Sequence, residues 1–309
     1  MRVILDHLNL ILNMNLLNRI WLHTTNGVIL DIESADFEIP QISEVYSWLN
    51  NNKGDVHIFE NQKILEHENY EGYKIAYLRE SPAIYEYTSQ FGTPDVHKWT
   101  VENKDSFDHF FSCFTYLKSI VGESNFTFVP VGGSRIKLEN YSLFEKQRNI
   151  SIVASFKKWT TGHILRHEVI EHLGQDKLDV YGSGYNNLID EYDPKFGKII
   201  AIAPYRYSFA IINTREDDYF TDILIDCFAV GTVPIFWGTK NIGNYFNTDG
   251  MIIFNNLSEI DSIVSKCSVE DYNFRLPAIK ENMKLAKEYV STYDWMYKNI
   301  DFKKVLNER

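Results

Sequence analysis

Cysteine is scarce in this 309-residue chain. The three cysteines, Cys113, Cys227 and Cys267, are far apart, odd in number and outside any CxxC or Cys/His zinc pattern. That spacing argues against a disulfide framework and against a zinc site, and it is typical of a protein from a reducing compartment.

Basic residues are also few relative to acidic ones. Lys and Arg together number 31 and Asp and Glu 42, which gives a formal net charge of −11. Because nucleic-acid binding needs a basic surplus or a basic stripe, this balance argues against nucleic acid as the main partner. An anionic small molecule remains compatible, since it needs only one or two well-placed cations.

No long, clean apolar run is present. The N-terminal residues 1–23 are apolar, but four asparagines interrupt them and Asp6 lies near their start. A membrane span needs about 20 consecutive apolar residues, and a signal peptide needs a basic start followed by an uninterrupted apolar region. The sequence therefore predicts neither, and it favours a cytoplasmic location.

Short apolar runs alternate with amphipathic stretches, which is the pattern of an α/β protein with largely parallel sheets. The candidate strands of the first half are Arg2–Leu5, Gly27–Leu30, Val56–Phe59, Lys74–Leu78 and Phe126–Pro130. The candidate strands of the second half are Ile150–Ser155, Leu178–Tyr181, Tyr207–Ile212, Val233–Trp237 and Met251–Phe254. Its candidate helices are Gly162–Leu173, Tyr219–Val230, Ser258–Lys266 and Ala278–Val290, and residues 198–203 form a further apolar run.

A polar segment at residues 139–149 separates the two halves. We therefore predict two Rossmann-like domains facing a cleft, residues 1–145 and 146–309, with the last helical segment packing back on the first domain. Ligands of such doubly wound units bind at the carboxyl ends of the strands.

The stretch from Tyr205 to Gly238 is the most informative. It predicts a strand, a polar loop, a helix, a glycine stop and a second strand. The helix is expected to begin near Tyr219 with Asp217 or Asp218 as its N-cap. Free amides at the positive end of a helix suit a pyrophosphate, although most turns of this kind in α/β proteins bind nothing.

This stretch resembles the signature region of glycosyltransferase family 10, the α-1,3/1,4-fucosyltransferases. The family pattern runs Tyr-x-Phe-x-x-x-Phe-Glu-Asn, a short loop, Tyr-x-Thr-Glu-Lys, an apolar helix and Gly-x-Val/Ile-Pro-x-x-x-Gly. The residues in matching places here are Tyr205, Tyr207, Asn213, Tyr219, Thr221, Gly231, Pro234 and Gly238.

Other segments are similar to the family as well. Residues 152–158, Arg166 and residues 179–182 resemble the opening of its donor domain. In the first half, residues 77–82 are similar to its Glu-Ser-Pro element, and residues 128–133 to its late strand and Gly-Gly turn. The resemblance runs from about residue 74 to 298 and does not extend over the first seventy residues.

The resemblance implies an inverting, metal-independent transferase of the two-domain B-type fold, without a cofactor. A nucleotide sugar would bind to the second domain and a glycan acceptor to the first. Glu80 would be the general base that takes the proton of the acceptor hydroxyl. The residues alone also allow Glu80 to be a solvated glutamate, or one paired with Arg79.

The donor-binding residues implied by the resemblance start with Arg166, whose guanidinium suits a pyrophosphate. The residues alone also allow a surface Arg166 paired with Glu168 or Asp179. Asn213, Tyr219 and Thr221 would contact the nucleotide or its sugar. The remaining expected contacts are Asp222 near the ribose, with Lys157 and Arg215 as further cations.

Two positions depart from the family pattern. Ile212 replaces the Glu of Glu-Asn, and Ile223 replaces the Lys expected to meet the phosphates. Arg215 or Lys157 can replace that missing cation. The departures leave three readings open: L-fucose transfer from GDP-fucose, transfer of another sugar from a UDP- or GDP-linked donor, or a non-catalytic glycan- or nucleotide-binding module.

Metal-binding patterns are weak. His163 and His167 have the i, i+4 spacing of metal ligands but lack an evident third ligand, and an amphipathic helix face explains them better. The acidic runs 190–193 and 216–218 are typical of helix caps and solvated loops. We therefore expect no metal, and a bacterial or virus-encoded enzyme of glycan synthesis.

Overall fold

The structure is a computed structural model. It describes residues 20–24, 27–30, 56–174, 176–183, 185, 197–301 and 304–305. The predicted strand Arg2–Leu5 lies outside these residues.

The first half forms a six-stranded sheet in the order β2-β1-β3-β4-β5-β6. The β1–β2 pair is antiparallel and the other pairs are parallel. The strands are β1 Ile20–Thr24, β2 Gly27–Leu30, β3 Val56–Glu60, β4 Tyr73–Leu78, β5 His109–Ser112 and β6 Phe126–Phe128. Four of the five predicted strands are therefore confirmed, and β1 and β5 were not predicted.

Helical segments cover this sheet. The α-helices are α1 Pro82–Ser89, α2 Val96–Glu102 and α3 Lys118–Val121. The 3-10 segments are Asn61–Asn69, Lys104–Ser106, Thr115–Leu117, Glu123–Asn125 and Leu138–Asn140. Helix α1 begins directly after β4 because Ser81 caps it, accepting a hydrogen bond from the Ala83 amide, and Pro82 suits the first helical position.

The second half forms a five-stranded sheet in the order β11-β10-β9-β7-β8, with all of these pairs parallel. The strands are β7 Arg148–Val153, β8 Asp179–Tyr181, β9 Tyr205–Ile211, β10 Val233–Trp237 and β11 Ile252–Ile253. The helices are α4 Thr161–Leu173, α5 Gly197–Ile202, α6 Asp222–Ala229, α7 Ile260–Val264, α8 Val269–Ala286 and α9 Thr292–Asn299. Short 3-10 turns occur at Ile242–Asn244, Thr248–Gly250, Leu257–Glu259 and Lys287–Tyr289.

Two helix predictions need correction. Helix α6 begins at Asp222 rather than near Tyr219, and its N-cap is Thr221, whose hydroxyl accepts from the Ile223 amide. The reason is that Thr221 has an extended backbone (φ −133°, ψ −176°), so no helical turn can run through residues 219–221. Helix α8 begins at Val269, well before the predicted Ala278, and it accommodates Pro277 in its interior.

The C-terminal segment packs against the first sheet. Met296, Ile300 and Val305 share a buried cluster with residues of β3, β4 and β5. The Tyr73 hydroxyl donates to the Val305 carbonyl at 3.0 Å. The chain thus crosses from the second half back to the first after α8.

Two buried histidines make stability depend on pH. Burial lowers the pKa of His97 and of His109 to about 4, from 6.5 in the unfolded chain. The unfolded state therefore binds more protons between those values, so stability is fully present above pH 6.5 and is lost as the pH falls towards 4. Each histidine contributes up to about 3 kcal/mol of this loss.

Urea unfolding at pH 7.5, 6 and 5 checks this prediction. We expect His109→Gln and His97→Gln each to flatten the fall in unfolding free energy, because each removes one group whose pKa burial lowers. Equal slopes in the parent protein and both variants would contradict the assignment.

Candidate functional site

Glu80 lies just beyond the carboxyl end of β4, in a loop whose backbone is hydrogen-bonded to Asn61. The Oδ1 atom of Asn61 accepts hydrogen bonds from the backbone amides of Arg79 and Glu80 at 3.2 and 3.1 Å. The Tyr85 hydroxyl donates to the same oxygen at 2.7 Å. Asn61 itself has a positive φ of 52°, which its residue type tolerates. The Glu80 backbone is therefore held by Asn61, whose side chain is itself oriented by Tyr85.

The loop after β9 reaches across to Glu80. The Tyr219 hydroxyl donates to Oε1 of Glu80 at 3.0 Å, and the Ser81 amide donates to the same oxygen at 3.1 Å. A second bridge joins the Thr214 hydroxyl to the Ser81 hydroxyl at 2.9 Å. The predicted base and the predicted donor loop thus meet at one place.

Tyr219 is buried, with its ring 5.6 Å from that of Phe114. Burial and the nearby charge of Glu80 raise its pKa, so the phenol keeps its proton and remains a donor. The sequence predicted that Tyr219 contacts the nucleotide or its sugar. The structure places its hydroxyl on the carboxylate of Glu80.

Arg166 is buried on α4 and is bound to the end of β9. Its Nε and Nη2 atoms donate to the Ile211 carbonyl at 2.9 and 2.6 Å, and Nη2 also donates to Oδ1 of Asn213 at 2.9 Å. Asp179, one of its alternative partners from sequence, pairs with Arg148 at 3.1 Å. Arg166 therefore orients the Asn213 side chain.

The start of α4 holds the same loop through its backbone. The Gly162 amide donates to the Asn213 carbonyl at 2.9 Å. A Cβ atom at position 162 would lie only 1.8 Å from the Ile212 carbonyl oxygen. Only glycine permits this close approach of helix to loop.

Asp222 belongs to a buried charge cluster that the sequence analysis missed. The Lys198 ammonium, only 4% exposed, lies 2.5 Å from Asp222 and 3.1 Å from Asp226. Asp226 also accepts from the Ser134 hydroxyl and the Arg135 amide at 2.7 and 2.9 Å. Burial opposes ionisation of Asp222, but Lys198 outweighs burial and lowers the pKa of that carboxyl. The cluster ties residues 134–135 to the first turn of α6.

The remaining predicted donor residues are Lys157, Arg215 and Thr221, and each contacts other groups of the protein. Lys157 places its ammonium 4.5 Å from the centre of the Trp159 ring. Arg215 donates to the Gly238 carbonyl at 3.0 Å and lies over Trp237, so its guanidinium is at the carboxyl end of β10. Thr221 caps α6 and forms a β-bridge with Gly132.

The two departures from the family pattern are packing positions. Ile212 is fully buried, and its Cγ1 lies 2.8 Å from where a Cβ of Gly238 would be. Ile223 lies in the first turn of α6 and packs, partly buried, against the core. Both side chains add apolar contacts to the core.

Asp218 is a further loop residue whose role the sequence did not reveal. Its carboxylate accepts from Nδ2 of Asn241 at 2.6 Å and from the Tyr245 hydroxyl at 2.7 Å. Its amide donates to the Thr239 hydroxyl at 3.1 Å. These hydrogen bonds join the middle of the loop between β9 and α6 to residues 239–245. The sequence predicted Asp218 only as a candidate N-cap, a role that Thr221 has in the structure.

The histidine pair of α4 is engaged by protein groups. His163 contacts the Thr160 hydroxyl through Nδ1 at 2.9 Å. His167 contacts the Tyr185 hydroxyl at 2.6 Å and the Lys157 carbonyl at 3.1 Å. Within the described ranges, no group of three or more His, Cys, Asp or Glu side chains is arranged to hold a metal ion. No helix in that part of the chain has the length and apolar character needed to cross a membrane.

Comparison with known proteins supports the resemblance. Residues 144–276 match the family model "Glycosyltransferase family 10 (fucosyltransferase) C-term". A putative fucosyltransferase-like protein of Arabidopsis thaliana is 26% identical over 142 residues, which is 45% of this chain and 27% of the relative. The alpha-(1,3)-fucosyltransferase FucT of Helicobacter pylori is 26% identical over 110 residues, 34% of this chain and 22% of the relative. The match thus spans about a quarter of these relatives.

The solved structure of TarM shows the same architecture, and a second solved structure is also similar. TarM superposes with a TM-score of 0.52 at 11% identity, covering 82% of this chain and 55% of TarM. An alpha1,3-fucosyltransferase with GDP superposes with a TM-score of 0.47 at 14% identity, covering 84% of this chain and 89% of that chain. The fold is α/β with two Rossmann-like units, the B-type glycosyltransferase fold. Residues 144–276 confirm the resemblance of this chain to glycosyltransferase family 10, the fucosyltransferases.

Proposed function

We propose that this protein is an inverting, metal-independent glycosyltransferase. It moves a sugar, with L-fucose from GDP-fucose as the first candidate, onto a glycan hydroxyl. The observation that carries the proposal is the hydrogen bond from Tyr219, in the family-matched loop, to Glu80. Residues 1–145 would bind the acceptor and residues 146–309 the nucleotide sugar.

Glu80 has the chemistry of the general base. Its Oε1 atom accepts hydrogen bonds from the Ser81 amide and the Tyr219 hydroxyl, and these bonds orient the carboxylate. The carboxylate takes the proton of the acceptor hydroxyl as that oxygen bonds to the anomeric carbon. The bond from the anomeric carbon to the phosphate oxygen breaks, and its electron pair leaves with the nucleoside diphosphate. Attack opposite to the leaving group inverts the configuration.

The donor half supplies the nucleotide contacts. Asn213, oriented by Arg166, and the capping residue Thr221 lie on the loop that reaches Glu80. Arg79 and Arg135 hold positive charge near Asp222, and the Arg135 side chain is 43% exposed. These arginines place cations near the first turn of α6, where Ile223 replaces the family lysine. We assign them to the leaving diphosphate, with Lys157 and Arg215 further out.

Nucleotide binding by calorimetry tests the proposal. We expect GDP to bind at least about tenfold more tightly than UDP, CDP or dTDP, because GDP-fucose is the first candidate donor. The titrations are run in EDTA, and binding is expected to be the same when manganese is added.

Each outcome has a distinct meaning. Preference for UDP or another nucleotide would keep the fold and reaction but replace fucose as the leading donor. Binding that requires manganese would overturn metal independence. Binding of none of the four nucleotides would overturn the transferase proposal and favour a non-catalytic module.

A further inference from the structure

Three aromatic side chains form a surface cluster beside the site, and a fourth exposed ring, Phe156, lies three residues before one of them in the chain. Phe91 is 73% exposed and Phe156 69% exposed, while Tyr87 and Trp159 are half-buried. The ring of Tyr87 stacks on that of Trp159 at 5.8 Å and 15°, and it lies 5.3 Å from the ring of Phe91. We call Tyr87, Phe91, Phe156 and Trp159 the aromatic platform. Large exposed rings are costly in water, so a cluster of them marks a binding surface.

The platform joins the two halves of the molecule. Tyr87 lies on α1 and Phe91 just after it, so both follow β4. Phe156 and Trp159 lie in the loop between β7 and α4. Both segments leave the carboxyl ends of parallel strands, which is where ligands of doubly wound folds bind.

Both chain segments that carry the platform, α1 and the loop before α4, are connected to the surroundings of Glu80. Helix α1 is capped by Ser81, the residue after Glu80. Because a helix rises 1.5 Å per residue, Tyr87 lies about 9 Å from Ser81 along the helix axis. On the other side, Trp159 directly precedes Thr160, the N-cap of the helix whose Gly162 binds the Asn213 carbonyl. The platform therefore flanks the reacting position.

We propose that the aromatic platform is a subsite for the acceptor glycan, on which a sugar unit next to the reacting one stacks. The inference rests on the proposed function. A pyranose ring has an apolar C–H face that packs on aromatic rings and hydroxyls at its edge that remain in water. This matches rings that are half-open to solvent. A glycan that presents its hydroxyl to Glu80 must pass between the two halves, where the platform lies.

The test uses the full chain saturated with the nucleotide that binds best in calorimetry. Chitohexaose, cellohexaose, maltohexaose and an N-acetyllactosamine hexasaccharide are titrated while tryptophan fluorescence is recorded, with the matching monosaccharides as short probes. The variants are Phe91→Ala and Phe156→Ala, whose side chains are exposed and do not support the core. Phe274→Ala is the matched control, since Phe274 is 80% exposed on α8.

We expect at least one hexasaccharide to bind more tightly than its monosaccharide. Each platform variant should weaken that binding about tenfold, while Phe274→Ala leaves it unchanged and nucleotide affinity is unchanged in all variants. Equal hexasaccharide affinity in all variants, or no binding of any hexasaccharide while nucleotide binds, would overturn the platform and leave the proposed function standing. A change in oligomeric state of the platform variants, seen by sedimentation, would assign the surface to a protein contact instead. Failure of nucleotide binding would instead count against the proposed function.

Discussion

Glu80→Gln is expected to lower kcat by about a thousandfold while the affinity for nucleotide changes by less than about twofold. General base catalysis contributes roughly 10²–10⁴ to such reactions, and an amide cannot take the proton. Glutamine keeps the shape of the side chain, and its carbonyl oxygen can still accept from Tyr219 and the Ser81 amide. The loss therefore isolates proton transfer from the geometry of the loop.

Single-turnover rates and nucleotide calorimetry on the purified variant measure this effect. Glu86→Gln is the matched control, because Glu86 is an exposed glutamate on the neighbouring helix α1. It is expected to retain the parent rate. If Glu80→Gln abolished nucleotide binding as well, Glu80 would belong to the donor side. If it kept the parent rate, the protein would use a different base or none.

The apolar runs of the sequence were sufficient to locate much of the sheet framework. Val233–Trp237 is a fully buried strand because both of its faces are covered, and such a strand has a continuous apolar sequence. Strand β5 was missed because His109 and Ser112 make its short sequence look polar. In the structure both residues are buried, with His109 bound to Thr127 and Ser112 to the Leu78 carbonyl.

The sequence predicted individual residues of the site but not the contacts between them. The motif pointed to Glu80 and Tyr219 separately, yet they are 139 residues apart and no local pattern joins them. Lys198 was interpreted only as part of an apolar run, whereas its ammonium pairs with two aspartates of α6. Long-range ion pairs of this kind depend on how two elements pack, and periodicity in the sequence does not encode that.

Gly162→Ala is expected to lower the stability of the protein and to weaken its binding of nucleotide. The added methyl would meet the Ile212 carbonyl at 1.8 Å and the Asn213 carbonyl at 2.7 Å. These are backbone atoms at the end of β9, so relief requires α4 to move away from the loop. Overpacking against movable side chains costs about 1–3 kcal/mol, and a backbone clash costs at least as much. We expect a loss of about 3 kcal/mol in unfolding free energy, and a nucleotide affinity at least about tenfold weaker, because Asn213 moves with the loop.

The direction of the change in unfolding free energy shows whether α4 contacts the Asn213 loop. Gly162 lies inside the first turn of α4, where alanine is the better helix former by about 1 kcal/mol. If α4 did not touch the Asn213 loop, the substitution would stabilise the protein and leave nucleotide binding intact. Gly243→Ala is the matched control, because a Cβ there meets only the Thr248 methyl at an ordinary 3.5 Å. Urea unfolding and nucleotide calorimetry on both variants therefore separate a helix that holds the donor loop from one that merely lies near it.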